Sequence, residues 1–265
     1  MDERHSFPET RCAAMIRRSH AIVALTGAGI STAAGIADFR GPRGLYASRR
    51  YDPEQTFDID GFRREPRYFY EFCRDFVDTL KEIRPTFSHR FLAELEGTGK
   101  LSGVVTQNID ILHQLAGSRN VIELHGSCRN AVCISCRQRY EELTYEWWDR
   151  AMAESSIPPV ACCPLCRGVL KPDIVFFGEL VKGFGEAERL IADCDLLLIL
   201  GSSLQVAPAS LLPWKTEAPT LVINRGEVML SAAANRTFID DDLDGYLRNV
   251  AGRLGMGSVN GDFAV

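Results

Sequence analysis

Polar side chains cluster in the stretch TQNIDILH, residues 106–113, directly after the apolar run LSGVV. Thr106, Gln107, Asn108, Asp110 and His113 bring hydroxyl, amide, carboxyl and imidazole groups into one short segment. A tight turn after a core strand explains one or two such groups, whereas the whole set is typical of a binding or catalytic site.

Two Cys-x-x-Cys pairs, Cys133 with Cys136 and Cys163 with Cys166, stand twenty-six residues apart. Two such pairs present four thiolates at two tight turns, which suits a tetrahedral zinc ion. The alternatives are four reduced, unliganded cysteines or a redox dithiol, although a dithiol uses a single pair. Because four cysteine ligands leave no open position, we expect a structural zinc that stabilises a segment with little apolar content.

A glycine-rich loop, LTGAGISTAAGIADFR (25–40), follows an apolar run. Gly27 and Gly29 would allow backbone N–H groups to approach a pyrophosphate at a helix N-terminus. However, the third glycine position of the dinucleotide motif holds Thr32, and the acidic residue expected about 20 positions further on is missing. The loop alone therefore leaves nucleotide binding and a plain tight turn both open.

Short apolar runs predict the strands that position these residues. The runs are AIVAL (21–25), SGVVT (102–106), VIEL (121–124), DLLLIL (195–200) and TLVIN (220–224). Helix-like segments at 9–19, 87–97 and 185–194 alternate with them. This alternation predicts an α/β fold, a Rossmann-like parallel sheet with helices on both faces.

Two regions interrupt the alternation. Residues 41–86 contain an aromatic-rich amphipathic stretch and predict a helical module, while residues 127–170 hold the cysteine pairs and little sheet pattern. We expect these two modules to form a smaller domain, and residues 1–40, 87–126 and 171–265 to form the Rossmann-like domain.

Composition excludes several classes of function. The net charge of −5 argues against coating nucleic acid, so no direct nucleic-acid binding is expected. No apolar run is long enough to cross a bilayer, which argues against a membrane protein. The first twenty residues carry acids and no apolar stretch, so we expect a cytoplasmic protein.

The order of the motifs resembles that of one family. GAGIS…GIADFR, TQNIDILHQLAG, VIELHGS, the two cysteine pairs, KPDIVFFGE, GSSL and VINRGE follow the order seen in sirtuins, the NAD-dependent protein-lysine deacylases. The resemblance runs from about residue 10 to residue 245. It implies an NAD-binding Rossmann-like domain, a structural zinc, and partners that are acylated-lysine proteins or peptides.

The reaction implied by the resemblance removes acyl groups, acetyl foremost, from protein lysines. NAD is the co-substrate, and the products are nicotinamide, O-acyl-ADP-ribose and free lysine. Protein mono-ADP-ribosyl transfer or NAD hydrolysis in the same pocket is the alternative reaction. A zinc-bearing interaction or nucleic-acid module that only senses NAD is the non-enzymatic alternative.

His125 is the main catalytic candidate, because it follows the strand VIEL at the sheet edge where open α/β sheets bind ligands. Imidazole suits proton transfer near neutral pH, although a histidine at a strand end can also cap a loop. The resemblance makes His125 the general base and Asn108 a second catalytic residue. We expect His113 and His89 to be structural helix residues.

The resemblance also assigns the binding residues. Those implied to contact NAD are Gly27, Ala28, Gly29, Asp38, Phe39, Arg40, Gln107, Asn108, Ile109, Asp110, Gly201, Ser202, Ser203, Asn224, Arg225, Asp242 and Leu243. Those implied to bind substrate form a strand and are Val175, Phe176, Phe177, Gly178 and Glu179. An extended peptide would add to this strand by β-pairing.

One departure from the family concerns the acyl group. Sirtuins that prefer succinyl or malonyl groups carry Tyr-x-x-Arg where this chain has Tyr70 and Cys73, with Arg74 one place further on. A shift of one helical position turns a side chain by about 100°. We therefore predict a preference for neutral acyl groups.

Overall fold

The computed structural model of the protein describes residues 7–37, 51–155 and 157–257. The described residues divide into two units by their contacts. Unit 1 lies within residues 1–34, 84–124 and 183–265, and unit 2 lies within residues 35–83 and 125–182.

The strands and helices are numbered along the chain. The strands are β1 Ile22–Thr26, β2 Leu101–Thr106, β3 Val121–Glu123, β4 Gly126–Cys133, β5 Arg139–Tyr140, β6 Leu170–Ile174, β7 Leu196–Leu200, β8 Thr220–Ile223 and β9 Arg236–Ile239. The α-helices are α1 Glu9–Arg18, α2 Pro53–Thr56, α3 Ile59–Arg64, α4 Arg67–Glu82, α5 Phe87–Gly97, α6 Leu112–Leu115, α7 Tyr145–Ala153, α8 Phe184–Ala192 and α9 Leu243–Leu254. Two 3₁₀ helices span Ala28–Ala34 and Ala209–Lys215.

Unit 1 contains a six-stranded sheet in the order β3-β2-β1-β7-β8-β9, in which every neighbouring pair is parallel. The order reverses between β1 and β7, which is the point where such sheets bind ligands, outside the carboxyl ends of the strands. The register aligns Thr26 with both Thr106 and Leu200. The loops that follow β1, β2 and β7 therefore leave the sheet at one edge.

Apolar side chains cover both faces of this sheet, because each strand residue points to the side opposite its neighbour. Ile22 and Ala24 pack with α1, α5 and α9, whereas Val23 and Leu25 pack with α8 and the second 3₁₀ helix. Burial on both faces explains why β1 and β7 read as unbroken apolar runs. The predicted α/β parallel sheet is confirmed.

Unit 2 combines helices with the antiparallel sheet β5-β4-β6. The amphipathic helix α4 buries Phe69, Tyr70 and Cys73, and the Tyr70 hydroxyl donates to the Leu170 carbonyl of β6 at 2.6 Å. The helical module was predicted, but the prediction of little sheet in residues 127–170 was wrong, because β4 lies there.

Within the part of the chain that the structure describes, no helix is long and apolar enough to cross a membrane.

Candidate active site

The loops after β1 and β7 pack against each other through glycines. Gly27 N–H donates to the Leu200 carbonyl at 3.1 Å, and Gly29 N–H donates to the Gly201 carbonyl at 2.8 Å. A Cβ built on Gly29 would lie 2.7 Å from Gly201 Cα, closer than real Cβ atoms approach. The glycines are therefore required by loop packing, and the N–H groups expected to face a pyrophosphate already have protein partners.

Gly201 carries the strictest requirement of these glycines. Its φ is +60°, and a Cβ on it would lie 2.4 Å from the Ile30 backbone nitrogen. Both the left-handed backbone and the close approach exclude a side chain. This packing sets the position of the 3₁₀ helix Ala28–Ala34 at the switch point of the sheet.

A buried hydrogen-bonded cluster follows β2. Ser31 Oγ donates to Asp110 Oδ2 at 2.6 Å, and Asn108 Nδ2 donates to Ser31 Oγ at 3.1 Å and to Asp110 Oδ2 at 3.2 Å. Asp110 Oδ1 accepts from Leu112 N at 3.0 Å. The side-chain nitrogen of Asn108, Nδ2, is thus used within the protein. The side-chain oxygen, Oδ1, therefore remains as the acceptor for a ligand.

Burial governs the charge of this cluster. Asp110 is buried, and this raises the pKa of its carboxyl, while the hydrogen bonds from Ser31, Leu112 and Asn108 oppose the shift. Ser31 was not predicted as a site residue, although it belongs to the quoted motif GAGIS. The available signal in the sequence was a hydroxyl-bearing residue in a loop otherwise rich in Gly and Ala.

The other residues predicted after β2 and β7 also come together. Gln107 Nε2 donates to Ser202 Oγ at 2.9 Å, and Ser202 Oγ accepts from Leu204 N at 3.2 Å. The Ser203 carbonyl accepts from Met229 N at 2.8 Å, and Ile109 is buried. These contacts connect the loops that end β2 and β7 within unit 1.

The residues predicted after β8 and before α9 have structural contacts of their own. Asn224 N–H donates to the Ile239 carbonyl at 3.1 Å, and Arg225 forms an ion pair with Asp242 at 3.2 Å. Asp242 caps α9 by accepting from Gly245 N at 2.8 Å, while Leu243 packs in the core of unit 1. Of the other cofactor candidates, Asp38, Phe39 and Arg40 lie outside the described residues.

His125 begins the second chain segment of unit 2, and it is half-buried. Its carbonyl accepts from Val175 N at 2.8 Å. This bond joins His125 to the start of the predicted substrate segment, Val175–Glu179.

The predicted substrate segment leaves regular strand structure at Ile174, where β6 ends. Phe176 is buried, whereas Phe177 is 47% exposed and forms an isolated parallel bridge with Asp58. Phe176 thus belongs to the core of unit 2, and Phe177 presents an aromatic surface.

The four predicted zinc ligands meet within unit 2. The sulfurs of Cys133, Cys136, Cys163 and Cys166 all lie within 4.8 Å of one another. Cys133 Sγ is 3.5 Å from Cys166 Sγ, and Cys136 Sγ is 3.8 Å from Cys163 Sγ. Zinc–sulfur bonds of about 2.3 Å in a tetrahedron place the sulfurs ~3.8 Å apart, so the cluster fits a structural zinc ion.

A parallel sheet with tightly packed glycine loops at its switch point defines a Rossmann-like dinucleotide-binding protein. The model of the Sir2 family matches residues 27–208, and the chain belongs to this family.

Curated relatives and solved structures agree with this assignment. The chain is 45% identical over 219 residues to the NAD-dependent protein deacetylase of Sulfolobus acidocaldarius, covering 82% of this chain and 83% of that protein. It is 40% identical over 218 residues to the enzyme of the same name from Thermotoga maritima, covering 80% and 85%. A solved structure of Sir2 with a p53 peptide and NAD+ has a TM-score of 0.83 at 34% identity, covering 95% of this chain and 100% of that chain.

Proposed function

We propose that this protein is an NAD-dependent protein-lysine deacetylase. The observation that carries the proposal is membership of the Sir2 family over residues 27–208, a range that contains both His125 and the Ser31–Asn108–Asp110 cluster. The related proteins are named NAD-dependent protein deacetylases, and a related Sir2 structure contains an acetylated peptide. The reaction proposed for this protein gives nicotinamide, O-acetyl-ADP-ribose and free lysine.

We assign NAD binding to the Rossmann-like domain, with the predicted ranges 1–40, 87–126 and 171–265. Asn108 would accept a hydrogen bond through its carbonyl oxygen, since Ser31 and Asp110 hold its amide nitrogen. Asp110 would supply negative charge near the ribose from which the cationic nicotinamide departs.

His125 is proposed as the general base. It would take a proton from the nicotinamide ribose hydroxyls after the acyl oxygen of the substrate attacks C1′ of that ribose. Imidazole has a pKa suited to this transfer near neutral pH.

The peptide itself is proposed to bind at Val175–Glu179, a segment that was predicted as part of the Rossmann-like domain but lies in unit 2. Acylated-lysine proteins are the proposed partners. A cytoplasmic location and the lack of direct nucleic-acid binding remain predictions from the sequence.

The test is nicotinamide release from NAD in the presence of acetyl-lysine peptides. We expect release to depend on the peptide, and O-acetyl-ADP-ribose to form in equal amount. His125→Ala should lower the rate about 10²–10⁴-fold, because a positioned acid–base group contributes this much. His20→Ala is the matched control, since His20 is exposed and outside every motif. Protein-bound ADP-ribose, or release without peptide, would favour the alternative reaction.

The same panel tests acyl selectivity with succinyl-lysine peptides of identical sequence. Cys73 is fully buried on α4, and Arg74 instead forms a surface ion pair with Asp75 at 3.5 Å. No described cation stands at the position of the family's arginine, so acetyl should be removed faster than succinyl. Faster succinyl removal would contradict this assignment.

A further inference from the structure

We propose that Lys171 and Glu179 are positioning residues for the acylated peptide, because they hold the backbone of Val175–Gly178 in its binding conformation. This inference rests on the proposed function, which places the peptide at this segment.

Lys171 connects β6 to the end of the segment. Its Nζ donates to the Ile174 carbonyl at 2.8 Å and to the Pro172 carbonyl at 3.3 Å, and it lies 2.9 Å from Glu179 Oε2. The same ammonium group lies 4.5 Å from the centroid of the Phe176 ring. With only 12% of its side chain exposed, Lys171 is a largely desolvated cation that these partners stabilise.

Glu179, the ion-pair partner of Lys171, contacts the backbone of Phe176 in the middle of the segment. Its Oε2 accepts from Phe176 N at 3.0 Å, and its own N–H donates to the Phe176 carbonyl at 3.0 Å. Both backbone groups of Phe176 are therefore occupied by one residue. A carboxylate that receives both an ammonium group and an amide N–H forms stronger bonds than a neutral acceptor does.

The remaining backbone contacts show what is left for a peptide. Phe177 donates to the Phe57 carbonyl at 2.7 Å and accepts from Ile59 N at 3.1 Å. Gly178 has φ of +91°, and in the described chain its N–H and carbonyl make no hydrogen bond. A peptide that pairs with this segment thus meets open backbone groups at Gly178, while the Lys171–Glu179 pair holds the backbone of Ile174 and Phe176, on either side of Val175.

This arrangement predicts an effect on peptide binding rather than on NAD chemistry. Without the pair, the Phe176 N–H and the Ile174 carbonyl lose these partners, and the segment gains alternative conformations. Peptide binding then restricts these conformations, and the lost conformational entropy weakens the binding free energy. Lys171→Met and Glu179→Ala should each raise the peptide KM and the peptide Kd about tenfold, the effect of one charged hydrogen bond.

The design separates positioning from general stability. At saturating peptide, kcat and the KM for NAD should change less than twofold, and Lys171→Arg should restore most of the peptide affinity. The double variant should be no weaker in binding than either single variant, because the two residues act as one unit. Lys182→Met is the matched control, since the ion pair and hydrogen bond of Lys182 go to Asp173 in the same unit.

Peptide affinity is measured by fluorescence anisotropy with a labelled acetyl-lysine peptide, alongside turnover and thermal unfolding. A selective loss of peptide affinity in both single variants supports the inference. Wild-type turnover with unchanged peptide KM and Kd in the variants overturns it while the proposed function stands. A fall in Tm and kcat with unchanged peptide Kd assigns the pair a merely structural role and also overturns it. A wild-type protein that neither binds nor deacetylates the peptide overturns both proposals.

Discussion

His113 and His89 illustrate how burial separates a structural histidine from a catalytic one. His113 Nε2 lies 2.9 Å from Thr26 Oγ1, and its ring meets that of His89 edge-on at 4.7 Å between centroids. Thr86 N donates to His89 Nδ1 at 3.2 Å, which places the proton of neutral His89 on Nε2. The prediction that both are structural agrees with these contacts, which place them in the core of unit 1.

Burial makes these two histidines a source of acid sensitivity. It lowers the pKa of His113 to about 3 and the pKa of His89 well below the usual value of 6.5. Because the folded protein then binds fewer protons than the unfolded chain, stability is lost as the pH falls below about 6.5. We expect the free energy of unfolding to drop by ~1.4 kcal/mol per pH unit for each histidine.

Urea unfolding between pH 7 and pH 5 measures this slope. His113→Gln should remove one histidine's share of the slope, and His20→Gln, at an exposed position, should leave it unchanged. The raised pKa of Asp110 acts in the opposite sense, and because both variants retain Asp110 its contribution cancels when their slopes are compared with the wild type. An unchanged slope in His113→Gln would show that this imidazole takes up protons equally in the folded and unfolded protein, which contradicts its lowered pKa.

Among single residues, those with a chemical signature were the easiest to predict. Four cysteines at two x-x spacings indicate a metal site whatever the fold, and their sulfurs do meet. Ser31 was missed because a serine in a loop has many ordinary roles. Only the fold reveals that its hydroxyl joins Asn108 to Asp110.

At the scale of elements, the strands that are continuous apolar runs were predicted well, whereas β6 and β9 were not predicted as strands. β1 and β7 are continuous apolar runs with every residue buried. β9 is short, polar at its start and lies at the sheet edge, while β6 contains Pro172. Proline is tolerated there because β6 is an edge strand, where one side of the backbone has no neighbouring strand to bond.

The packing of the β1 and β7 loops gives a prediction about Gly201. Gly201→Ala would place a methyl group 2.4 Å from Ile30 N, so the 3₁₀ helix that carries Ser31 must move. Gly99→Ala is the matched control, since Gly99 has φ of +74° but no atom within 4 Å of a built Cβ.

We expect the control to lose about 1–2 kcal/mol from backbone strain alone, and Gly201→Ala to lose clearly more. Gly201→Ala should also weaken NAD binding at least about tenfold, because displacement of Ser31 disrupts the Asn108 cluster. Calorimetric titration of NAD and thermal unfolding measure both effects. Equal losses in the two variants would show that loop packing does not constrain the site.

At the scale of the whole molecule, the two units are stabilised differently. Unit 1 has a sheet with apolar clusters on both faces. In unit 2, the cysteine cluster lies where β4 ends and where the segment before β6 carries Cys163 and Cys166. A zinc ion would cross-link these two parts of the chain, and its removal should therefore affect unit 2 first.

The three tryptophans allow this difference to be measured. Trp147 and Trp148 lie on α7 of unit 2, whereas Trp214 belongs to unit 1, so a Trp214→Phe variant reports on unit 2 alone. Trp148 is fully buried, and its Nε1 donates to the Cys128 carbonyl of β4 at 2.7 Å. Loss of order in β4 would expose this indole to water and shift its emission to longer wavelength.

We expect the purified protein to contain one zinc ion per chain, and a strong chelator to shift the Trp214→Phe emission as the metal leaves. Amides of β1 and β7 should keep their protection from hydrogen exchange, because their core contains no zinc ligand. Cys136→Ser should reproduce the effect without chelator, whereas Cys194→Ser, outside the cluster, should retain the metal. If the metal leaves and the emission stays unchanged, zinc does not stabilise this part of unit 2. If the amides of β1 and β7 lose their protection from hydrogen exchange when the emission shifts, the two units unfold as one, and the zinc ion stabilises the whole chain.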